Sequence, residues 1–237
     1  MKYKFLLRII GFEIIFVVFP MSASGAISSL FTINNGDARV RQWSPANGSF
    51  VGDPVILTLS GNPFNNSSDI EWDGNFYYGI RAGDPRVMRF DSVGRYIDDV
   101  ALLTDQFGPV PNQVGFAYDG SFYYSIAAND ARIRRYTLAG NFAGDFANLI
   151  DGAGLVTTAI GLSKDNDYFY TTQSGSSIVQ KFNLNGQYVG DLVSLMSGVE
   201  PFTLNTGIAI APVPEPASVM LILFSFMSVL IRRERRF

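Results

Sequence analysis

The chain has 237 residues, with 18 basic and 21 acidic side chains, 20 phenylalanines, 11 tyrosines, no cysteine and no histidine. No disulfide can therefore staple the fold, and the commonest general base and metal ligand is missing. The two ends hold seven of the basic and three of the acidic residues, so the stretch between them carries eleven against eighteen, a formal charge of −7. Such a surface repels phosphate backbones, and nucleic acid is not an expected partner.

The N-terminus reads as an export signal. Lys2, Lys4 and Arg8 precede an apolar run from Ile9 to Phe19 interrupted only by Glu13, and small residues follow through Ser24, Gly25 and Ala26. That order predicts a signal-peptide helix over residues 1–25, cleaved by signal peptidase between Ser24 and Ala26. An uncleaved anchor is the alternative reading.

Residues 26–211 are a repeat. Gly-x-aromatic-x-Gly/Asp-Asp occurs at Gly48–Asp53, Gly94–Asp99, Gly140–Asp145 and Gly186–Asp191, and each first glycine stands 46 residues after the last. Trp72–Tyr78, Tyr118–Tyr124 and Lys164–Tyr170 keep the same step, as do Gly115, Gly161 and Gly207. Each repeat reads as four short strands. In the third, Gly115–Tyr118 is followed by a tight turn at Asp119-Gly120, then Phe122–Ala127, a turn at Asn129-Asp130, Ile133–Leu138, a turn at Gly140 and an outer strand from Phe142. A loop of about fifteen residues then crosses to the next unit. Four-stranded units of about 40–50 residues predict an all-β, small β-propeller of four repeats. Phase adds a closure. Leu30–Ile33 is a second strand lacking its first, and Gly207–Ile210 is a first strand with nothing after it, so the C-terminal strand completes the first sheet. An open array that closes by dimerising is the alternative.

Asp130–Tyr136 followed by Gly140-Asn141-Phe142, and Asp84–Phe90 followed by Gly94-Arg95-Tyr96, resemble the NHL repeat family, which implies a propeller and leaves function open. The first unit departs by one extra residue before Gly48, and the fourth by Ser176-Ser177 in place of the turn Asp and Arg.

Candidate sites in the repeat are modest. Third-strand cations Arg89, Arg135 and Lys181 stand near outer-strand acids Asp53, Asp99, Asp145 and Asp191, which predicts a rim of ion pairs. That rim is either a ligand platform for extracellular polysaccharide or protection of sheet edges. The turn acids Asp73, Asp119 and Asp165 are explained by hairpin geometry. Phe76-Tyr77-Tyr78, Phe122-Tyr123-Tyr124 and Tyr168-Phe169-Tyr170 are expected in the core. Equivalent inner positions offer Glu71, Ala117 and Ser163, a single carboxylate, whereas a hard metal needs several oxygen ligands. No catalytic residue, metal or cofactor is therefore expected. The competing reading is a metal-dependent surface hydrolase or lactonase of the propeller type.

Residues 212–237 form a tail. Val213, Pro214, Glu215 and Pro216 lead into Ala217–Ile231, whose only polar members are serines, and then into Arg232, Arg233, Glu234, Arg235 and Arg236. A helix over 217–231 is roughly 22 Å long, short of the ~30 Å hydrocarbon core. Bilayer thinning or snorkelling arginines absorb the difference, and the basic stub 232–237 stays cytoplasmic. The alternative, a buried helix of the globular domain, has no use for such a stub. Motif, transmembrane helix and basic stub together resemble the PEP-CTERM sorting tail of exported Gram-negative proteins. The resemblance covers about a tenth of the chain. It implies recognition at 214–216 by exosortase, a membrane protease. It also implies an inner-membrane intermediate and a destination at the cell surface or in the polysaccharide matrix, with a binding or scaffolding role there.

Overall fold

The computed structural model describes residues 27–34, 36–202 and 207–212, together with the backbone of a hairpin that pairs Lys4–Ile9 with Phe12–Val17. The cleavage region Ser24–Ala26 and the tail from Val213 onward, with its sorting motif, expected helix and arginines, lie outside the described residues. No helix among the described residues is long and apolar enough to cross a membrane.

Four antiparallel four-stranded sheets form a four-bladed propeller. Blade 2 runs outward through Ser67–Trp72, Tyr77–Arg81, Asp84–Phe90 and Tyr96–Leu102. Blade 3 uses Gln113–Tyr118, Tyr123–Ala127, Arg132–Tyr136 and Phe142–Asn148, and blade 4 uses Ser163–Lys164, Tyr168–Thr172, Ile178–Asn183 and Tyr188–Ser194. Blade 1 takes its inner strand from the other end of the sequence: Gly207–Pro212 pairs with Ile27–Ile33, followed by Arg39–Trp43 and Phe50–Ile56. The register places Ile208 opposite Thr32 and Ala209 opposite Phe31, so the ring closes within one chain as the phase of the repeat predicts. Closure leaves no inner strand unpaired, which removes an edge that would otherwise recruit another chain.

The second strands are buried on both faces: Tyr77, Tyr78, Tyr123, Tyr124, Phe169 and Tyr170 are all nearly inaccessible. The last two aromatics of each run are therefore core, in clusters that join each blade to the next, and Phe76, Phe122 and Tyr168 pack half-buried against them. Apolar and aromatic residues run on consecutively in these strands because neither face meets water.

The crossovers are more ordered than plain loops. Leu57, Leu103, Leu149 and Leu195, again 46 apart, are fully buried, and each is followed by a hairpin of two-residue ladders such as Thr104–Asp105 with Gly108–Pro109. Each hairpin reaches the outer turn of the following blade. The amides of Thr58, Thr104, Ile150 and Met196 donate to the carbonyls of Gly94, Gly140, Gly186 and Gly48 at 2.7–2.9 Å. The last of these joins blade 4 to blade 1 and completes a belt around the molecule. The repeat glycine serves this belt: all four have positive φ, and a Cβ on Gly140 would lie 2.1 Å from the Leu102 carbonyl oxygen.

Candidate functional site

The axis of the ring is built from backbone amides and two acids of blade 2. Asp69 is fully buried, and its carboxylate accepts four main-chain N–H groups: Ile70 at 2.9 Å and Ile208 at 2.6 Å on Oδ1, Phe116 at 2.6 Å and Leu162 at 2.8 Å on Oδ2. The donors are one residue from each blade, each 46 residues from the next. At Asp69's own phase the other blades carry Gly115, Gly161 and Gly207, and a Cβ on Gly207 would stand 2.5 Å from Asp69 Oδ1. One side chain thus fills an axial space that four would overfill. Burial pushes the Asp69 carboxyl well above the ordinary range, and the amides of Leu162, Phe116, Ile208 and Ile70 pull it back. Each oxygen already takes two N–H groups, so the geometry fits the anion.

Glu71 repeats the device two residues on. Its Oε1 accepts the Trp72 amide at 3.1 Å and its Oε2 the Ser163 hydroxyl at 2.8 Å, while Ser163 Oγ accepts the Ile210 amide at 3.1 Å. Burial raises the Glu71 carboxyl well above its usual value against these hydrogen bonds. Glu71 therefore floors the channel, and Asp69 seals it below.

Above Glu71 opens a basin of about 500 Å³. Trp72, Tyr118, Lys164 and Ile210, all at one phase of the repeat, line it with the turn acids Asp73, Asp119 and Asp165. Those acids are held as the hairpin reading predicts. Asp119 accepts the amides of Ser121 and Phe122 at 2.9 Å and the Tyr124 hydroxyl at 2.8 Å, and Asp73 and Asp165 repeat the pattern with Tyr78 and Tyr170. These phenols in turn are pushed up in pKa, by burial first and by the partner carboxylate second. Lys164 joins the acids, 3.3 Å from Asp119 and donating to the Asp165 carbonyl at 3.0 Å. Among the described residues no three acidic, histidine or cysteine side chains converge as metal ligands.

The rim residues lie elsewhere, on the blades. Arg89, Arg135 and Lys181 each cover the leading aromatic of the neighbouring strand: Phe76 at 5.1 Å, Phe122 at 4.8 Å and Tyr168 at 3.5 Å. The expected pairing with the outer acids needs correction. Bulges beside Met88 and Phe90 set Arg89 opposite Asp98, which it holds through two hydrogen bonds of 3.0 and 2.8 Å, and turn Asp99 toward Arg86 instead. The outer ion pairs are thus Arg39–Asp53, Arg86–Asp99 and Arg132–Asp145, while Asp191 takes the Tyr188 hydroxyl. Such exposed pairs guard the edge and contribute little stability each.

One of these groups predicts a pH effect. Hydrogen bonds from the Arg86 side chain hold Asp84 below its ordinary value of 3.8, with burial opposing. A carboxyl lowered in the folded state contributes stability that is complete above its unfolded value and lost as pH falls through the folded one. This pair should leave the melting temperature level from neutral pH to about pH 5 and steepen its fall below about 4. An acid limb unchanged in Asp84→Asn would contradict the assignment.

Neither a protein family nor a curated protein matches the sequence. Among solved structures, the chain is similar to glutaminyl cyclase of Myxococcus xanthus at 13% identity over 82% of this chain and 88% of that one, with a TM-score of 0.48. A nidogen/laminin complex matches at 12% identity over 77% and 98%, with a TM-score of 0.38, and the computationally designed Ika8 protein at 12% over 77% and 57%, with a TM-score of 0.32. At these values the likenesses carry no functional argument, and the four-bladed assignment rests on the strand pairing.

Proposed function

We propose that the chain is an exported, non-catalytic binding module whose ligand sits in the channel mouth and whose tail delivers it to the cell surface or the polysaccharide matrix. The observation that carries the reading is asymmetry at one phase of an otherwise regular repeat. Structural positions such as the turn acids are occupied alike in three blades, yet the ring above Glu71 presents Trp72, Tyr118, Lys164 and Ile210. Two aromatics, one cation and one aliphatic side chain over a polar floor suit a saccharide, with C–H faces against the rings and hydroxyls toward Lys164. The mouth carboxylates support binding over hydrolysis, since backbone amides, Tyr hydroxyls or Lys164 already engage each of them and none is left poised as a base.

Sorting is supported by Val213–Pro216, the apolar run and Arg232–Arg236, which would engage an exosortase-type protease after signal peptidase acts near Ser24–Ala26. Mass spectrometry of the extracellular protein should find the mature C-terminus near Pro214–Pro216, and recovery of chain intact through Phe237 would refute processing. Glycan-array binding tests the basin. Tyr118→Ala should weaken the signal, and equal binding by that variant would move the site elsewhere. Were the chain a metal-dependent hydrolase instead, a chelator would lower its melting temperature.

A further inference from the structure

We propose that blade 3 carries a second binding site, for a neutral saccharide, on the face of the disc opposite the channel mouth. The mouth is ringed by turns between first and second strands, such as Asp119-Gly120, whereas this site lies at the turn between second and third strands, at 127–132. It is a cavity of about 540 Å³.

The cavity exists because blade 3 lacks the side chains that fill this space in blades 1 and 2. In blade 2, Phe64 fills the corresponding space and Arg81 lies over its ring at 4.5 Å. In blade 1, Phe202 does so, 4.7 Å from Trp43 and beneath Arg41 at 5.4 Å. The residues of blade 3 at the phases of Phe64 and Arg81 are Val110 and Ala127, and both line the opening. Relative to blade 2, two large side chains are lost at once. Blade 4 shares the valine, as Val156, but keeps a long side chain, Gln173, at the second position.

Gln113 looks into the space so created. It is 1% exposed, and neither its Nε2 nor its Oε1 has a hydrogen-bond partner. The position does not demand such a group: blade 2 places Ser67 there, bonded to the carbonyls of Phe64 and Asn34, and blade 4 places the apolar Ala159. Buried polar atoms are nearly always paired, so an amide orphaned at both ends beside a cavity calls for an occupant.

The walls define its chemistry. Arg132 and Arg134 both bind Asp130 in the lining, and Arg132 also reaches Asp145 just outside it at 3.6 Å, so both cations are already paired and do not call for a charged ligand. Val110, Ala127 and Ala128 supply an apolar side. A carboxamide offers a donor and an acceptor side by side, the complement of vicinal hydroxyls of which one accepts from Nε2 and the other donates to Oε1. A sugar ring answers each of these features. The site stands on this geometry and does not require the mouth to bind anything; if both bind, the disc joins two glycan chains from opposite faces.

Saturation-transfer NMR on the full chain with glucose, galactose, mannose and N-acetylglucosamine tests the site. At least one sugar should bind the Tyr118→Ala variant, whose mouth is disabled, and adding Val110→Phe should weaken it by at least about tenfold. Val110→Phe restores the filling used in blades 1 and 2 and gives Arg134 a ring to cover, so it should fold and melt no lower than the parent. Gln113→Leu should also remove binding, whereas Tyr118→Ala, in the mouth, should not. With the mouth disabled by Tyr118→Ala, binding that survives Val110→Phe, or no binding by any of the four sugars, would overturn the proposal. The last outcome together with a higher melting temperature for Gln113→Leu would assign the cavity to ordered water alone.

Discussion

Replacing Asp69 with alanine should lower the melting temperature by at least about 10 °C or prevent folding altogether. Four buried amides, one per blade, would lose their shared acceptor. A buried donor left without a partner costs about 1–3 kcal/mol, so four together rival the ~5–15 kcal/mol that holds a domain folded. Loss of the charge relieves part of its burial cost, which favours the lower part of that range. Asp69→Asn should fall between, because its one remaining oxygen still accepts two amides while its NH2 group opposes the other two. Thermal melts of the three proteins decide the matter. An alanine variant within about 3 °C of the parent would show that water or backbone adjustment satisfies the amides and that the axial carboxylate is dispensable.

The second large effect separates two uses of glycine. Gly120 and Gly140 share a φ of +86°, so alanine at either meets the same left-handed backbone penalty of about 1–2 kcal/mol. Their surroundings differ. Nothing lies within 4 Å of a Cβ on Gly120, whereas one on Gly140 would sit 2.1 Å from the Leu102 oxygen. Relieving that overlap displaces the belt hydrogen bond from Thr104, 2.9 Å in length, and the crossover that carries it. Gly120→Ala should therefore cost about 1 kcal/mol and Gly140→Ala about 3 or more, or melting losses of roughly 2–4 °C against 6–12 °C. Equal losses would mean that the repeat glycines only shape turns and that the belt adds nothing between blades.

The features legible in the sequence are those repeated at a fixed step. Gly48, Gly94, Gly140 and Gly186 announce four units, and the pairing of the last strand with the first follows from phase. Its register, Ile208 opposite Thr32, is one residue off the 46-residue step. Asp69 leaves no periodic mark, because it is the single non-glycine at the phase of Gly115, Gly161 and Gly207. Its role is a contact among four blades far apart in sequence, and only the closed ring displays it. The Arg89–Asp98 pairing depends on bulges that shift register by one residue, and a bulge leaves little mark on alternation. Crossover hairpins such as Thr104–Asp105 with Gly108–Pro109 are too short for any periodicity, although the spacing of Leu57, Leu103, Leu149 and Leu195 was there to be read. The blade 3 cavity arises where the pattern breaks, at Ala127 in place of Arg81 and Val110 in place of Phe64.

Closure within one chain is tested most directly by a single engineered crosslink. The sequence has no cysteine, so Ser29→Cys with Ala211→Cys introduces the only thiol pair, at positions that face each other across blade 1. Mild oxidation should give a monomer lighter by two hydrogens in nearly every molecule, since partners in register lie within disulfide reach. Oxidation that yields only chains linked to one another would show four sheets in an open row, completed by a second copy.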